Sequence, residues 1–314
     1  MRRRIPQDNL APGGGGIPSM DAGRAWMALL ALPGLGRQRA RRLAAALGGP
    51  AAAWRAPAQE WLAAAVAPRE VLLRAAAARD RIDPERLARR VAAAGVDWVA
   101  WDEPAYPRRL RTIPDPPLIL YYRGRAPAED VPWVAVVGSR RASPYGVQLA
   151  HRLAGDMAAA GWVVVSGLAV GIDAAAHRGA LAAGGRSVAV LGHGPDRVYP
   201  EEHRPLAERL AATGWLVAEY PPGTPAEAFR FPERNRILAG LVDGVVVVEA
   251  APRSGALVTA DLALAAGRAV MAVPGPVTRR QGEGIMELLR AGAPPVATWT
   301  DVAAVLGDHG LGGV

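Results

Sequence analysis

The stretch Trp133-Val-Ala-Val-Val137 is a continuous apolar run rich in β-branched residues, and a helical pattern over residues 143–160 follows it. The same alternation recurs five times toward the C-terminus. The later strand patterns cover residues 162–165, 187–191, 215–219, 245–249 and 269–273, and the helical patterns cover residues 171–183, 201–213, 232–241, 255–267 and 284–291. Continuous apolar strands separated by helices predict an α/β fold with a doubly wound, mostly parallel sheet covered on both faces.

The N-terminal part of the chain has a different organisation. Residues 97–130 contain enough apolar sequence for one or two further strands, and residues 21–96 are helical in pattern and rich in Ala, Arg and Leu. Residues 1–20 are basic and rich in Gly and Pro, and we expect them to be a disordered tail. The sequence therefore predicts a small all-helical domain over residues 21–96, a sheet domain over residues 97–307 and a C-terminal tail over residues 308–314.

Within the helical region, residues 32–43 are typical of a helix-hairpin-helix element, which indicates a domain of the SAM or helix-hairpin-helix type. Gly34 and Gly36 would let backbone N–H groups approach a phosphate at a helix N-terminus, with Arg37 and Arg39 beside it. The alternative is a corner between two helices that is packed only for stability. These four residues are therefore a secondary candidate for DNA binding.

The composition excludes several kinds of catalytic site. The 314 residues include no cysteine, which excludes thiol nucleophiles, thiolate metal sites and disulfides. All 37 Lys and Arg positions are Arg, which excludes a P-loop lysine and a Schiff-base lysine.

The net charge of +8 lies entirely in the first part of the chain. Residues 1–130 contain 21 Arg and 13 acidic residues, whereas residues 131–314 contain 16 of each. A coding bias explains why every cation is Arg, but it does not explain this asymmetry. We therefore expect non-specific attraction to polyanions to be strongest in the N-terminal part.

The sequence contains no pattern typical of a targeting or membrane-spanning segment. The longest early apolar stretch, residues 26–32, is far shorter than the roughly 20 residues that a spanning helix needs. We expect a cytoplasmic protein that does not insert into a membrane.

The candidate binding residues follow the predicted strands, where ligands bind in doubly wound sheets. Small residues there allow an anion to approach the backbone, arginines supply charge, and both phenylalanines of the chain lie beside three arginines. The candidates are Gly138, Arg140, Arg141, Ser166, Gly167, Gly171, Arg230, Phe231, Arg234, Asn235, Arg236, Ser254, Gly255 and Thr259.

No set of residues in the sequence forms a convincing catalytic or metal centre. Asp173 and His177 are four residues apart on one predicted helix, a spacing that fits acid–base chemistry but more often reflects a structural hydrogen bond. His193 and His203 lack a third ligand at metal-binding spacing. Arginines, aromatic residues and anion-compatible turns without such a centre predict a non-enzymatic groove for a phosphodiester chain, with no cofactor and no metal.

Several motifs, in order and spacing, resemble the DprA family of DNA-processing proteins, also called Smf, from about residue 106 to residue 306. They are Ser166-Gly-Leu-Ala-Val-Gly-Ile-Asp173, Ala189-Val-Leu-Gly-His-Gly-Pro-Asp196, Glu219-Tyr-Pro-Pro-Gly-Thr224, Phe231-Pro-Glu-Arg-Asn-Arg-Ile237, Val246-Val-Val-Glu-Ala250, Ser254-Gly-Ala-Leu-Val-Thr-Ala260 and Ala272-Val-Pro-Gly275. The resemblance implies an extended Rossmann-like core that binds single-stranded DNA without enzymatic activity. It also implies that the protein protects incoming strands during natural transformation, loads the recombinase RecA onto them, and forms a homodimer.

The resemblance also assigns residues. It carries the family's DNA pocket onto Arg140, Ser166, Gly167, Phe231 and the run Arg234-Asn-Arg236, with Ser254 and Thr259 at its border. Arg230 is the candidate for a basic position that relatives fill with Lys. Family members often continue into a winged-helix domain, and we expect none after residue 307.

Two other classes of function remain open from the sequence. The first is a nucleotide-processing enzyme like the phosphoribohydrolases, which need a Pro-Gly-Gly-x-Gly-Thr loop and a downstream Glu. This chain instead has Pro252-Arg-Ser-Gly-Ala-Leu-Val-Thr259, followed by Ala260 and Asp261. The second is a structural scaffold, which predicts no affinity for nucleic acid.

Overall fold

The structure, a computed structural model, describes residues 20–307. The predicted tails over residues 1–20 and 308–314 lie outside the described residues, apart from Met20. One eight-stranded sheet organises the described chain. Its strands are β1 (Asp97–Ala100), β2 (Ile119–Gly124), β3 (Trp133–Val137), β4 (Val163–Ser166), β5 (Ser187–Leu191), β6 (Trp215–Ala218), β7 (Gly244–Val247) and β8 (Ala269–Ala272).

Helices cover both faces of this sheet and form the N-terminal region. The first seven are α1 (Ala22–Leu30), α2 (Gly36–Ala46), α3 (Pro50–Arg55), α4 (Ala58–Ala64), α5 (Arg69–Arg79), α6 (Pro84–Ala93) and α7 (Arg108–Arg111). The remaining seven are α8 (Pro144–Ala159), α9 (Ile172–Ala182), α10 (Arg204–Thr213), α11 (Arg230–Leu241), α12 (Gly255–Ala265), α13 (Arg280–Arg290) and α14 (Trp299–Leu306). No helix among residues 20–307 combines the length and the apolar character that crossing a bilayer requires.

The strand order is β1-β2-β6-β5-β4-β3-β7-β8. The six strands β3 to β8 pair in parallel, and β1 and β2 extend the sheet in antiparallel fashion beyond β6. The prediction of a doubly wound, mostly parallel, Rossmann-like sheet is confirmed. The order reverses between β3 and β7, and a crevice opens outside the carboxyl ends of neighbouring strands at such a switch point.

The sheet is buried on both faces because its strands are apolar at every position. All five residues of β3 and all four of β7 are buried, which is the pattern of a central parallel strand rather than an alternating one. Trp133, Ile237 and Val245 belong to the core on one face, and Val134, Leu153 and Val246 to the core on the other.

Helices α1 to α6 pack against the antiparallel edge of the sheet. Their hydrophobic core includes Trp26, Leu43 and Trp61 from the helices together with Ile119 and Tyr121 from β2. The cluster thus crosses the predicted boundary near residue 96, and the helical region and the sheet share one continuous interface.

Candidate nucleic-acid interface

A groove with a volume of about 720 Å³ lies at the carboxyl ends of β3 and β7, at the switch point of the sheet. Its walls come from the turn after β3, the first turns of α11 and α12, and the start of α13. Among the predicted residues, the structure brings together Gly138, Arg140, Arg141, Phe231, Arg234, Asn235, Ser254, Gly255 and Thr259 along this groove.

The groove carries cations that no nearby carboxylate neutralises. Arg140, Arg141 and Arg280 line it and are exposed, and no carboxylate of residues 20–307 lies within 4.0 Å of their guanidinium nitrogens. The turn that presents two of them is held by its own hydrogen bonds. Arg141 N donates to Ser139 Oγ at 3.0 Å, and Gln281 Nε2 donates to Arg141 O at 3.1 Å. Cations held on an ordered turn suit the phosphates of a polyanion.

One wall of the groove is aromatic. The rings of Tyr199 and Phe231 lie 5.6 Å apart between centroids with an interplanar angle of 35°, and the Arg140 guanidinium lies 5.3 Å from the centroid of the Phe231 ring. Tyr199 is 50% exposed, so one of its surfaces is open to the groove. An accessible ring beside a cation is the arrangement that stacks a base while its phosphate is neutralised.

The N-termini of α8 and α12, both close to the groove, differ. The buried Glu249 carboxylate accepts hydrogen bonds from Ser143 N at 2.9 Å and Ser143 Oγ at 2.5 Å, so an anion from the protein itself already occupies the N-terminus of α8. At the N-terminus of α12, the Ser254 side chain makes no capping hydrogen bond, and its buried Oγ has no partner within residues 20–307. Of these two, the N-terminus of α12 is the one that remains available to a bound anion.

Asn235 and Thr259 shape the open end of α12. Asn235 Nδ2 donates to Gly255 O at 3.3 Å, and Thr259 Oγ1 donates to the same carbonyl at 3.0 Å. A Cβ at Gly255 would meet no atom within 4 Å, so the space in front of this turn is open. Both polar side chains thus hold the first turn of α12 in place below the groove.

Arg234 lines the groove from below as a buried group. It is 4% exposed, donates from Nη1 to Gly167 O at 3.0 Å and to Val190 O, and so ties the ends of β4 and β5 to α11. Burial lowers the pKa of Arg234 to about 10, because desolvation disfavours its charged form, and the nearby Asp173 carboxylate opposes that shift.

Arg236 does not lie at the groove, although the sequence predicts it there. Residues 234 and 236 are separated by about 200° around a helix, because each residue of an α-helix turns the chain by about 100°. Arg236 therefore faces the helical region, where it donates to Glu219 Oε1 at 2.7 Å and to Asp115 Oδ2 at 3.3 Å.

The small residues predicted to receive an anion make room for protein groups instead. Ser166 is fully buried and donates to Val136 O at 2.7 Å. A Cβ on Gly167 would lie 2.5 Å from the Arg234 guanidinium, and one on Gly171, whose φ is +82°, would lie 2.3 Å from Ser139 O. Residues 167 and 171 must be small because Arg234 and the turn at Ser139 pack closely against them. They therefore support the residues that line the groove and do not line the open space themselves.

Arg230 lies next to the groove but outside its lining. Its guanidinium is held between the rings of Tyr220 and Phe229, at 5.3 and 5.1 Å from their centroids, and lies 3.5 Å from the Glu227 carboxylate. The predicted role of Arg230 as a phosphate contact is therefore not built into the groove itself.

Asp173 and His177 have structural partners. Asp173 accepts hydrogen bonds from Gly167 N and Ala169 N, and burial raises the pKa of its carboxyl. His177 hydrogen-bonds to Ser187 Oγ at 2.8 Å, and burial lowers the pKa of His177 to about 3, which keeps it neutral. Within residues 20–307, no group of three or more His, Asp or Glu side chains is arranged to hold a metal ion.

The helix-hairpin-helix residues have partners within the protein. Arg37 pairs with Asp115 across the interface with the sheet, with Nη2 to Oδ2 at 2.5 Å, and Arg39 Nη1 donates to Gly34 O at 2.7 Å. Gly34 and Gly36 both have positive φ in the turn between α1 and α2. The hairpin geometry is present, but its two arginines bind protein groups.

Sequence reasoning missed Ser139, Tyr199, Arg280 and Gln281, which also line the groove. Tyr199 lies in the loop after β5, and the other candidates were chosen because ligands bind where the strands of a doubly wound sheet end. The same criterion applies to Tyr199. Arg280 and Gln281 open α13, which was expected to start only at residue 284. Their place at the groove depends on how the chain after β8 folds back over β7, which no local pattern indicates.

Fold and groove together define a doubly wound α/β protein with an arginine-lined crevice at its switch point. A family model described as DNA recombination-mediator protein A matches residues 97–307. The chain belongs to this family, which confirms the resemblance to DprA proteins that the motifs indicate.

Known proteins resemble this chain in sequence and in structure. The X-ray structure of DNA processing protein A from Streptococcus pneumoniae is similar with a TM-score of 0.80 and 32% identity, over 90% of this chain and 97% of that one. DNA processing protein A from Helicobacter pylori is similar with a TM-score of 0.61 and 27% identity, over 69% and 98% of the two chains. Protein Smf from Synechocystis is 41% identical over 66% of this chain, but the match spans only 53% of that relative.

Proposed function

We propose that this protein binds single-stranded DNA in the groove at the switch point and does not cleave it. The observation that carries the proposal is the combination of Arg140, Arg141 and Arg280, unpaired by carboxylates of residues 20–307, with the Tyr199–Phe231 wall. A strand whose phosphates face these arginines would place a base against the exposed ring. The Helicobacter pylori relative is described by its single-stranded DNA binding mode, which supports the same assignment here.

The biological role that we propose follows from the family. Bound strands entering the cell during natural transformation would be protected in the groove and handed to RecA. A binder that holds the backbone without reading base edges suits this task, because incoming DNA has no fixed sequence.

A salt-titrated gel shift that compares single- and double-stranded oligonucleotides of equal length tests the binding. Arg140→Ala and Arg280→Ala should each flatten the slope of log K against log salt by about 0.7, because each removes one phosphate contact to a single strand. Arg178→Ala, which changes an exposed arginine on α9 away from the groove, should leave the slope unchanged. Equal slopes in all four proteins would remove the groove from the proposal.

Incubation with single-stranded DNA and with nucleoside monophosphates tests whether the protein is an enzyme. We expect intact DNA and no free base. Ala260 is buried in α12, near where a phosphoribohydrolase-like loop would need a glutamate. Release of free base would instead favour the nucleotide-processing alternative.

We also propose that the protein acts as a homodimer. Helix α12 is mostly apolar, and its outer face leaves Leu264 57% exposed and Val258 38% exposed, with the exposed Asp261 between them. Exposed large apolar side chains on one helix face are typical of an interface, so a second subunit is a fitting partner for this face. Leu264→Arg should convert a dimer to a monomer in light scattering coupled to gel filtration, whereas Leu73→Arg, at an exposed leucine of α5, should not.

A further inference from the structure

A second cavity, of about 490 Å³, lies between the helical region and the sheet. One wall is formed by α1 and α6, including Leu30, Val91 and Ala94, and the opposite wall by Tyr121, Tyr220 and Pro222. Four charged residues line it: Arg37 and Glu219 pair with Asp115 and Arg236 respectively, Asp196 accepts a hydrogen bond from Gly223 N, and Arg90 is exposed. The largely apolar walls suit a neutral group rather than an anion, and the volume is ample for a nucleobase.

One loop contributes residues to both the cavity and the groove. In the loop after β5, Tyr199 lines the groove and Asp196 lines the cavity, where its carboxylate accepts a hydrogen bond from Gly223 N at 2.9 Å. Two glycines allow this loop to pack closely against residues of both sites. A Cβ on Gly192 would lie 2.9 Å from the Phe231 ring, and one on Gly194 would lie 2.6 Å from Pro221 O.

Consecutive residues at the start of α11 lie at both sites. Phe231 lines the groove, and the guanidinium of the preceding Arg230 lies 5.3 Å from the centroid of Tyr220, which lines the cavity, and 5.1 Å from that of Phe229. The Phe229 ring is 57% exposed and offers a π face on which a base can stack. At the rim of the cavity, the exposed Arg90 pairs with no carboxylate within 4.0 Å among residues 20–307 and is free to meet a phosphate.

We infer that the cavity between the helical region and the sheet receives a base of the same single strand that lies in the groove, after the strand has passed over Phe229, Arg230 and Tyr220. This inference rests on the proposed function. It gives the helical region a part in holding the strand, because half of the cavity wall comes from α1 and α6. The phosphates stay outside the cavity, near Arg90, while one unstacked base enters it.

Affinity measured against oligonucleotide length tests the inference. Ala94→Phe fills the cavity from the C-terminal end of α6, and Ala93→Phe adds the same ring at a neighbouring exposed position that does not line it. Fluorescence anisotropy over oligonucleotides of about 4 to 16 nucleotides should show at least about a fivefold loss of affinity in Ala94→Phe for the long strands. The shortest strands, which occupy the groove alone, should change by less than about twofold, and Ala93→Phe should resemble the wild type at every length.

Photocrosslinking of the wild-type protein to strands that carry 5-iodouracil gives a readout that does not depend on a variant. Crosslinked peptides containing Tyr220 or Tyr121, in addition to those containing Tyr199 or Phe231, support the inference. Crosslinks confined to the groove, with Ala94→Phe binding all lengths like the wild type, would overturn it and leave the proposed function intact. A wild type that binds no strand of any length would refute the proposed function and the inference with it.

Discussion

Arg234 shows at the scale of single residues that an arginine predicted to contact DNA can serve the scaffold. Its side chain is buried beneath the groove and donates to the carbonyls of Gly167 and Val190. Arg234→Met keeps an apolar stem of similar length but leaves both carbonyls without this donor. We expect a loss of about 2–4 kcal/mol in the free energy of unfolding, because buried polar groups are costly to leave unpaired.

Urea unfolding measures that loss, and Arg140→Ala is the matched comparison. The exposed Arg140 should cost DNA affinity and almost no stability, whereas Arg234→Met should cost stability first. If Arg234→Met unfolded like the wild type and only flattened the salt dependence of DNA binding, Arg234 would be a DNA contact after all.

At the scale of elements, the N-termini of α8 and α12 predict opposite behaviour for two variants. Glu249→Gln removes the anion that accepts hydrogen bonds from Ser143, and we expect it to cost about 1–2 kcal/mol of stability. Ser254→Ala removes a hydroxyl that has no partner within residues 20–307, so it should cost little stability and weaken DNA binding. Thermal unfolding and anisotropy of the same two proteins separate the effects, and a stability loss in Ser254→Ala with normal affinity would contradict the assignment.

The helices and strands were predictable from the sequence, but the direction in which individual side chains point was not. The six parallel strands begin and end within two residues of the predicted positions, because continuous β-branched runs bounded by polar turns define them. The motif around Arg234 and Arg236 predicts one shared site. In the structure the two side chains project from different faces of α11, because residues two apart in a helix lie about 200° apart around its axis. The partner of Arg236, Asp115, lies more than a hundred residues earlier, and no local pattern connects the two.

At the scale of the whole molecule, a row of four charges joins the helical region to the sheet. Arg37 from α2 pairs with Asp115, Asp115 also accepts from Arg236, and Arg236 pairs with Glu219. Burial opposes ionisation of Asp115, but hydrogen bonds and charge from Arg37 and Arg236 outweigh it and lower the pKa of this carboxyl. Asp115 thus serves as the shared anion of two arginines that come from different parts of the fold.

Asp115→Asn should therefore weaken the contact between the helical region and the sheet, by about 1–2 kcal/mol for a half-buried pair of this kind. Because the pKa of Asp115 is lower in the folded protein than in the unfolded chain, its stabilisation is fully present above about pH 4 and is lost as the pH falls through the folded value. The difference in unfolding free energy between wild type and Asp115→Asn should accordingly be constant near neutral pH and shrink in acid.

Urea unfolding of both proteins from neutral pH to about pH 3 measures this difference. Asp102→Asn, at an exposed carboxylate outside every ion pair formed within residues 20–307, should match the wild type throughout. A double-mutant cycle with Arg37→Ala then assigns the coupling to the contact between the two regions. Zero coupling between Asp115 and Arg37, or a difference that grew in acid, would mean that shape and apolar packing alone hold the helices of the N-terminal region against the sheet.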